Sequence, residues 1–119
     1  MNQLNLEKAL ELEEKSLAIF REIGDLRRKA ITLCSLGDVY KARDLDKAVE
    51  YYEMSKELAF KVGDPIEEVN ALWKKCLTLK AADKISEAIP QAENALNICQ
   101  TIKSPLTEVI IKELSSWQN

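Results

Sequence analysis

Along this chain apolar side chains recur at three- and four-residue steps in six runs, each separated from the next by a short junction of polar, glycine or proline residues. That period is the signature of one buried helix face, so the pattern predicts six helices, near residues 4–23, 26–42, 46–62, 65–82, 86–102 and 105–117. The junctions carry their own chemistry. Gly24 and Gly63 can take the left-handed conformation that closes a helix, and Asp25 and Asp64 can accept hydrogen bonds from the free N–H groups opening the next one. Pro65 falls at a first helical position, where its missing N–H is harmless, and Glu67 follows three residues after the cap. Ser104-Pro105 repeats the device without the glycine. Pro90 lies close behind the start of the fifth run and is expected either to delay that helix or to kink it.

The chain also resembles itself. Lys8, Ala9, Glu11, Glu14, Ser16, Gly24 and Asp25 return 39 positions later as Lys47, Ala48, Glu50, Glu53, Ser55, Gly63 and Asp64. A third copy follows at a spacing of 40, with Ala48 matched by Ala88, Glu53 by Glu93, Leu58 by Ile98, Val62 by Ile102 and Pro65 by Pro105. Self-similarity at such a period marks a repeat architecture whose unit is a helical hairpin.

Composition narrows the function classes. The 119 residues suffice for one modest core, and only three glycines and three prolines interrupt them, which suits long helices. Seventeen basic and 20 acidic side chains are intermixed, so there is no basic field for a phosphate backbone and nucleic acid is not an expected partner. No run is long and apolar enough to span a bilayer, and the first residues form no signal-peptide pattern, so a soluble, cytoplasmic protein with no membrane partner is expected. Cys34, Cys76 and Cys99 have no paired spacing and the chain has no histidine, so they read as small buried hydrophobes and no metal site is expected. With no histidine, no glycine-rich phosphate loop and no nucleophile beside a base, neither catalytic residues nor a cofactor is expected, and the chain does not read as an enzyme.

The segment Leu33-Cys34-Ser35-Leu36-Gly37-Asp38-Val39-Tyr40, followed by Asp44-Leu45-Asp46-Lys47-Ala48-Val49-Glu50-Tyr51-Tyr52, resembles a tetratricopeptide repeat, with Leu36, Gly37, Tyr40, Ala48 and Tyr52 at the marker positions. The 39 to 40 residue period is similar to the longer-helix branch of that family. Small residues such as Gly37, Ala48 and Ser55 would let helices approach closely, while Tyr40 and Tyr52 fill the gaps between hairpins. Lys75 in place of leucine, Ala92 in place of an aromatic and a shortened Ala42-Arg43-Asp44 loop depart from the pattern. The resemblance implies an all-α, right-handed solenoid of antiparallel hairpins of about six helices. It divides residues 1–119, as one domain, into a half-repeat 4–23, repeats 26–62 and 65–102, and a half-repeat 105–117.

The same resemblance implies a protein-binding scaffold. First helices of successive units would line a concave groove for a protein or peptide ligand, presenting Asp38, Lys41, Asn70, Trp73, Lys74, Leu77, Lys80, Glu113 and Trp117. Trp73, Leu77 and Trp117 would be apolar anchors, and Lys41, Lys74 and Lys80 would meet the carboxylates of an acidic partner. Trp73 can equally be packed against the next hairpin, and spaced lysines are often a solvated face. Because the chain starts and stops on half-repeats, a homo-oligomer through the end helices is the alternative, motivated by Leu10, Leu17, Phe20, Ile110, Ile111 and Leu114.

Overall fold

The computed structural model describes residues 3–23 and 25–118, with side chains omitted for Leu4 and Ile19 to Ile23. Six helices follow one another among them: α1 Gln3–Ile23, α2 Leu26–Tyr40, α3 Leu45–Lys61, α4 Pro65–Ala81, α5 Ile85–Ile102 and α6 Leu106–Trp117. Each packs on the next, and α2 also touches α4, which makes an all-α helical repeat solenoid. Connections of a few residues leave consecutive helices antiparallel. Along α2 and α3 the cross-helix partners run in opposite order, with Ser55 on Ala30, Tyr52 on Asp38 and Tyr51 on Tyr40.

The junctions explain why the helices start and stop where they do. Asp25, Asp44 and Asp64 each accept a hydrogen bond from the backbone N–H three residues on, at 3.0, 3.1 and 3.1 Å. Gly63 closes α3 in the left-handed region at φ 72°. Gly24, expected to do the same for α1, lies outside the described residues. At the fifth junction no glycine is available, and Lys103 takes the left-handed conformation itself (φ 57°) while Ser104 Oγ accepts from the Leu106 N–H. Asp83 plays the equivalent part after α4.

Pro90 does not delay its helix, contrary to one of the two outcomes expected for it: α5 starts at Ile85 and runs through it. The proline deletes one hydrogen bond, to the carbonyl of Ser86. Both residues are exposed, so water can take the place of the missing donor.

Small residues sit where helices meet. Ala48, Ala59, Ala71, Ala88, Ala92 and Ala95 are all fully buried, as are Gly37 and Ser55. The Ser55 hydroxyl donates to the Ala30 carbonyl at 2.7 Å, which satisfies a polar group that burial would otherwise penalise. Leu6, Leu10, Leu17, Leu33 and Leu36 join α1 to α2, whereas Val69, Leu72, Cys76 and Leu79 of α4 pack with the α5 alanines and with Ile110, Leu114 and Trp117 of α6.

That packing corrects the motive for end-to-end assembly. Leu10, Leu17, Ile110 and Leu114 face the chain's own core, Ile111 is 40% exposed, and the Phe20 side chain lies outside the described ones. The outward residues of α1 include Glu7, Lys8, Glu11, Glu14 and Lys15, and those of α6 include Glu108, Lys112, Ser115 and Ser116. Leu12 on α1, and Val109 beside Ile111 on α6, are exposed among them, so the outer faces are mixed rather than purely polar.

One ion cluster ties α3 to α4. Burial alone would raise the Glu53 carboxyl, but hydrogen bonds from Lys75 Nζ (2.7 Å), from the Glu57 carboxyl, which is raised in turn, and from Lys56 Nζ (3.0 Å) outweigh it and hold the group down at about 2. A carboxylate depressed in the folded state contributes stability that is present above its unfolded value near 4.5 and is lost as pH falls toward about 2. The midpoint of thermal unfolding should therefore fall between those pH values. Glu53→Gln should flatten that part of the profile, and an unchanged profile would show that the cluster is not coupled to folding.

Candidate peptide-binding groove

The nine residues expected to form the groove fall on α2, its C-cap, α4 and α6, and the fold brings most of them into two cross-helix groups. In the first, Lys74 Nζ of α4 lies 2.9 Å from Asp38 Oδ2 of α2, with both side chains a little under half exposed. The other oxygen of Asp38 accepts a hydrogen bond from the Tyr52 hydroxyl of α3. Tyr52 is 1% exposed, and its ring lies against the Gly37 backbone. Asp38 is thus held from below by a buried phenol and from the side by an ammonium.

The second group joins α4 to α6. The indoles of Trp73 and Trp117 stack with centroids 5.6 Å apart and planes 15° from parallel. Lys80 Nζ sits 5.7 Å from the centre of the Trp117 ring and 3.8 Å from Glu113 Oε2. The latter is a long and solvent-exposed ion pair, which such geometry makes weak. Asn70 and Leu77 are half-buried on α4, and Lys41 is exposed at the C-cap of α2 with no ion-pair partner among the described residues.

Two assignments need correcting. Trp73 and Trp117 were expected as open anchors for a ligand, yet they are 6% and 7% exposed and spend their flat faces on each other. Lys74 was expected to await a partner's carboxylate, but Asp38 already occupies it. Burial alone would lower the Lys74 ammonium, and the bond to Asp38 with the adjacent carboxylates outweighs this and keeps it charged. Of the three lysines, Lys41 has no ion-pair partner among the described residues, and Lys80 is held only by its long contact to Glu113 and by the Trp117 ring. Lys41 and Lys80 stand 39 residues apart, at equivalent ends of α2 and α4.

Three further residues surround the first group. The Cys34 thiol, buried beneath it, is pushed up to about 12 by burial and is unreactive. Glu67 of α4 lies beside Cys34, and its carboxyl is raised by burial and then by Asp64 and Asp38. Glu13 of α1 is raised by burial and then by Asp38. The sequence marks Glu67 only as a residue of a helix start and Glu13 not at all, because no repeat spacing encodes proximity to Asp38 across helices.

Residues 1–59, which span α1 and most of the α2–α3 hairpin, match the family model described as tetratricopeptide repeat. The chain belongs to the tetratricopeptide repeat family. Its second tetratricopeptide-like hairpin, α4–α5, lies beyond the matched segment and is joined to it by the internal repeat and by continuous packing. No curated protein matches the chain. Tetratricopeptide repeats are generally protein–protein interaction modules. No helix among the described residues is long and apolar enough to cross a membrane.

Proposed function

We propose that this tetratricopeptide-repeat chain is a scaffold that holds a segment of a partner polypeptide against the shared face of α2, α4 and α6. On this reading it acts as one unit of two full hairpins flanked by half-repeats. Three free, buried cysteines suit work in a reducing compartment, the cytoplasm.

The observation that carries the reading is the composition of that face. It keeps the charged side chains Asp38, Lys74, Lys80 and Glu113 half exposed above a sealed floor of Tyr52, Trp73 and Trp117. A rigid floor under exposed polar groups favours ordered contacts at small entropic cost. Acidic residues of the partner would meet Lys41, which has no ion-pair partner among the described residues, and Lys80, whose contact with Glu113 is long and exposed. Self-assembly through the end helices is the second reading: most of the residues that motivated it are spent in the core, and Leu12, Val109 and Ile111 are the exposed apolar residues left to support it.

The test is capture from source-cell lysate by the native chain and by the Lys41→Glu, Lys80→Glu double variant, with helicity checked by circular dichroism. Both lysines are exposed, so the variant should fold. A polypeptide retained by the native chain and lost by the folded variant supports the groove. Identical capture by both, or capture of nothing but further copies of this chain, sinks it.

A further inference from the structure

We propose that the end of the stack where α3 and α5 finish and α2 and α4 begin is a second interaction surface, which takes an acidic, amphipathic segment of a partner polypeptide across two clefts. This surface is separate from the groove, and the inference does not rest on the groove reading.

The two clefts repeat one another. The first, of about 280 Å³, lies between α2 and α3, and the second, of about 540 Å³, lies between the end of α3, the start of α4 and the last turns of α5. Lys29 at the first corresponds by the repeat spacing to Glu68 at the second, and Met54, Glu57, Leu58 and Lys61 correspond to Asn94, Asn97, Ile98 and Thr101. The last turn of α3 is the wall between them, since Leu58 and Lys61 line the first cleft and Phe60 lines the second.

The repeat does not account for the apolar content of that wall. Phe60 is 72% exposed and Met54 is 45% exposed. In the other two copies the position of Phe60 carries Arg21 and Gln100, and that of Met54 carries Lys15 and Asn94. The fold therefore needs no apolar side chain at either place. An aromatic and a methionine standing in water beside a cleft are the side chains by which a surface anchors a partner.

Charge on the rim selects what that partner presents. Lys29, half-buried, and Lys61, exposed, flank the apolar floor of Leu33, Met54 and Leu58, and neither lysine has an ion-pair partner among the described residues. Glu57, the acid that lines the same cleft, is hydrogen-bonded to Glu53 of its own helix. At the second cleft the rim carries Glu68 and the neutral Asn94, Asn97 and Thr101. A carboxylate beside the segment's first apolar anchor would meet two ammonium groups, whereas one beside the second anchor would face Glu68. The pair of clefts thus favours one direction of the segment over its reverse.

The probe is a synthetic amphipathic helix with leucines along one face and glutamates beside them, and its control carries lysine in place of every glutamate. Each is titrated into the full chain and followed by amide NMR shifts. The glutamate peptide should move the Met54, Leu58, Phe60 and Ile98 amides. Its affinity should fall about ten-fold in the Met54→Asn, Phe60→Gln double variant, which carries what the third copy has at those positions and so should fold. It should fall about five-fold in the Lys29→Gln, Lys61→Gln variant, whereas Lys112→Gln, an exposed lysine of α6, should leave it unchanged.

The inference is overturned by the absence of shifts at those amides, by equal affinity for the two peptides, or by undiminished binding to the Met54→Asn, Phe60→Gln variant. Shifts confined to the Asp38 and Lys74 amides would overturn it too, while speaking for the groove. Light scattering on the chain alone tests the other occupant. A mass that rises with concentration, and no longer does so in the Met54→Asn, Phe60→Gln variant, would mean that a second copy covers the clefts and that the inference is wrong.

Discussion

Replacing Gly37 with alanine is expected to destabilise the chain by about 2 kcal/mol, the balance of an overpacking cost near 3 and a helix-propensity gain near 1, and to lower its unfolding midpoint by about 8 °C. Exposed glycines inside helices usually respond the other way, since alanine is the better helix former. Here a methyl group would lie 2.5, 2.6 and 2.9 Å from Cε1, Cδ1 and Cζ of Tyr52. The contact is not with the loose end of a side chain. Tyr52 is 1% exposed and its hydroxyl is bonded to Asp38, so the ring cannot swing aside without losing both burial and that bond. The α2–α3 spacing would have to widen instead, and with it the placement of Asp38 in the groove.

A double-mutant cycle separates this from a generic loss. In a Tyr52→Leu background the clash partner is gone, so Gly37→Ala should become neutral or mildly stabilising there. Denaturant unfolding of the four proteins supplies the measurement. Equal destabilisation in both backgrounds would show that the close approach of Gly37 to Tyr52 is not what the glycine is for.

The repeat made much of this architecture legible. The helix bounds read from apolar period and caps agree with the observed ones to within two residues, because Asp25 and Asp64 are local signals that act within one turn, whereas the matching cap at Asp44 came only with the structure. Gly37 was readable as a small residue at a close helix approach, but its partner was not: Tyr52 was expected to fill a gap between hairpins, and its ring lies over Gly37 within the α2–α3 hairpin. Lys103 was not. A lysine in the left-handed region is imposed by the need to reverse the chain there, and nothing in its own chemistry announces it.

The groove was legible as a set of positions and illegible as a surface. Sequence spacing places Asp38, Lys74, Lys80 and Glu113 on first helices, but whether two of them meet depends on side-chain reach across 36 or 33 residues. Glu13 was passed over because it sits on α1, a second-type helix, and only the packing of α1 on α2 brings it near Asp38. The tryptophans show the same limit from the other side. An aromatic on a first helix reads equally well as an anchor for a ligand or as core, and only the neighbouring helix decides.

That decision can be tested by truncation. Trp73→Ala is expected to cost about 3–5 kcal/mol, the range for deleting a buried aromatic side chain, out of the roughly 5–15 kcal/mol that domains of this kind possess. The loss has three sources on the page: the burial of a side chain only 6% exposed, its stacking on Trp117, and the support it gives the α6 residues Ile110 and Leu114 in the same core cluster. Because each helix of a solenoid leans on its neighbours alone, the damage should spread outward, and amide protons of α6 should lose exchange protection before those of α2 and α3. Trp73→Phe keeps an aromatic face for Trp117 and should cost much less. The indole N–H of Trp117 is already buried with no hydrogen-bond partner among the described residues, so no such bond to them holds the residue in place if its stacking partner is removed. If Trp73→Ala instead left the unfolding curve and the exchange pattern intact while weakening capture of a partner, the indole would be a ligand anchor after all and the packed pair would not be the floor of the groove.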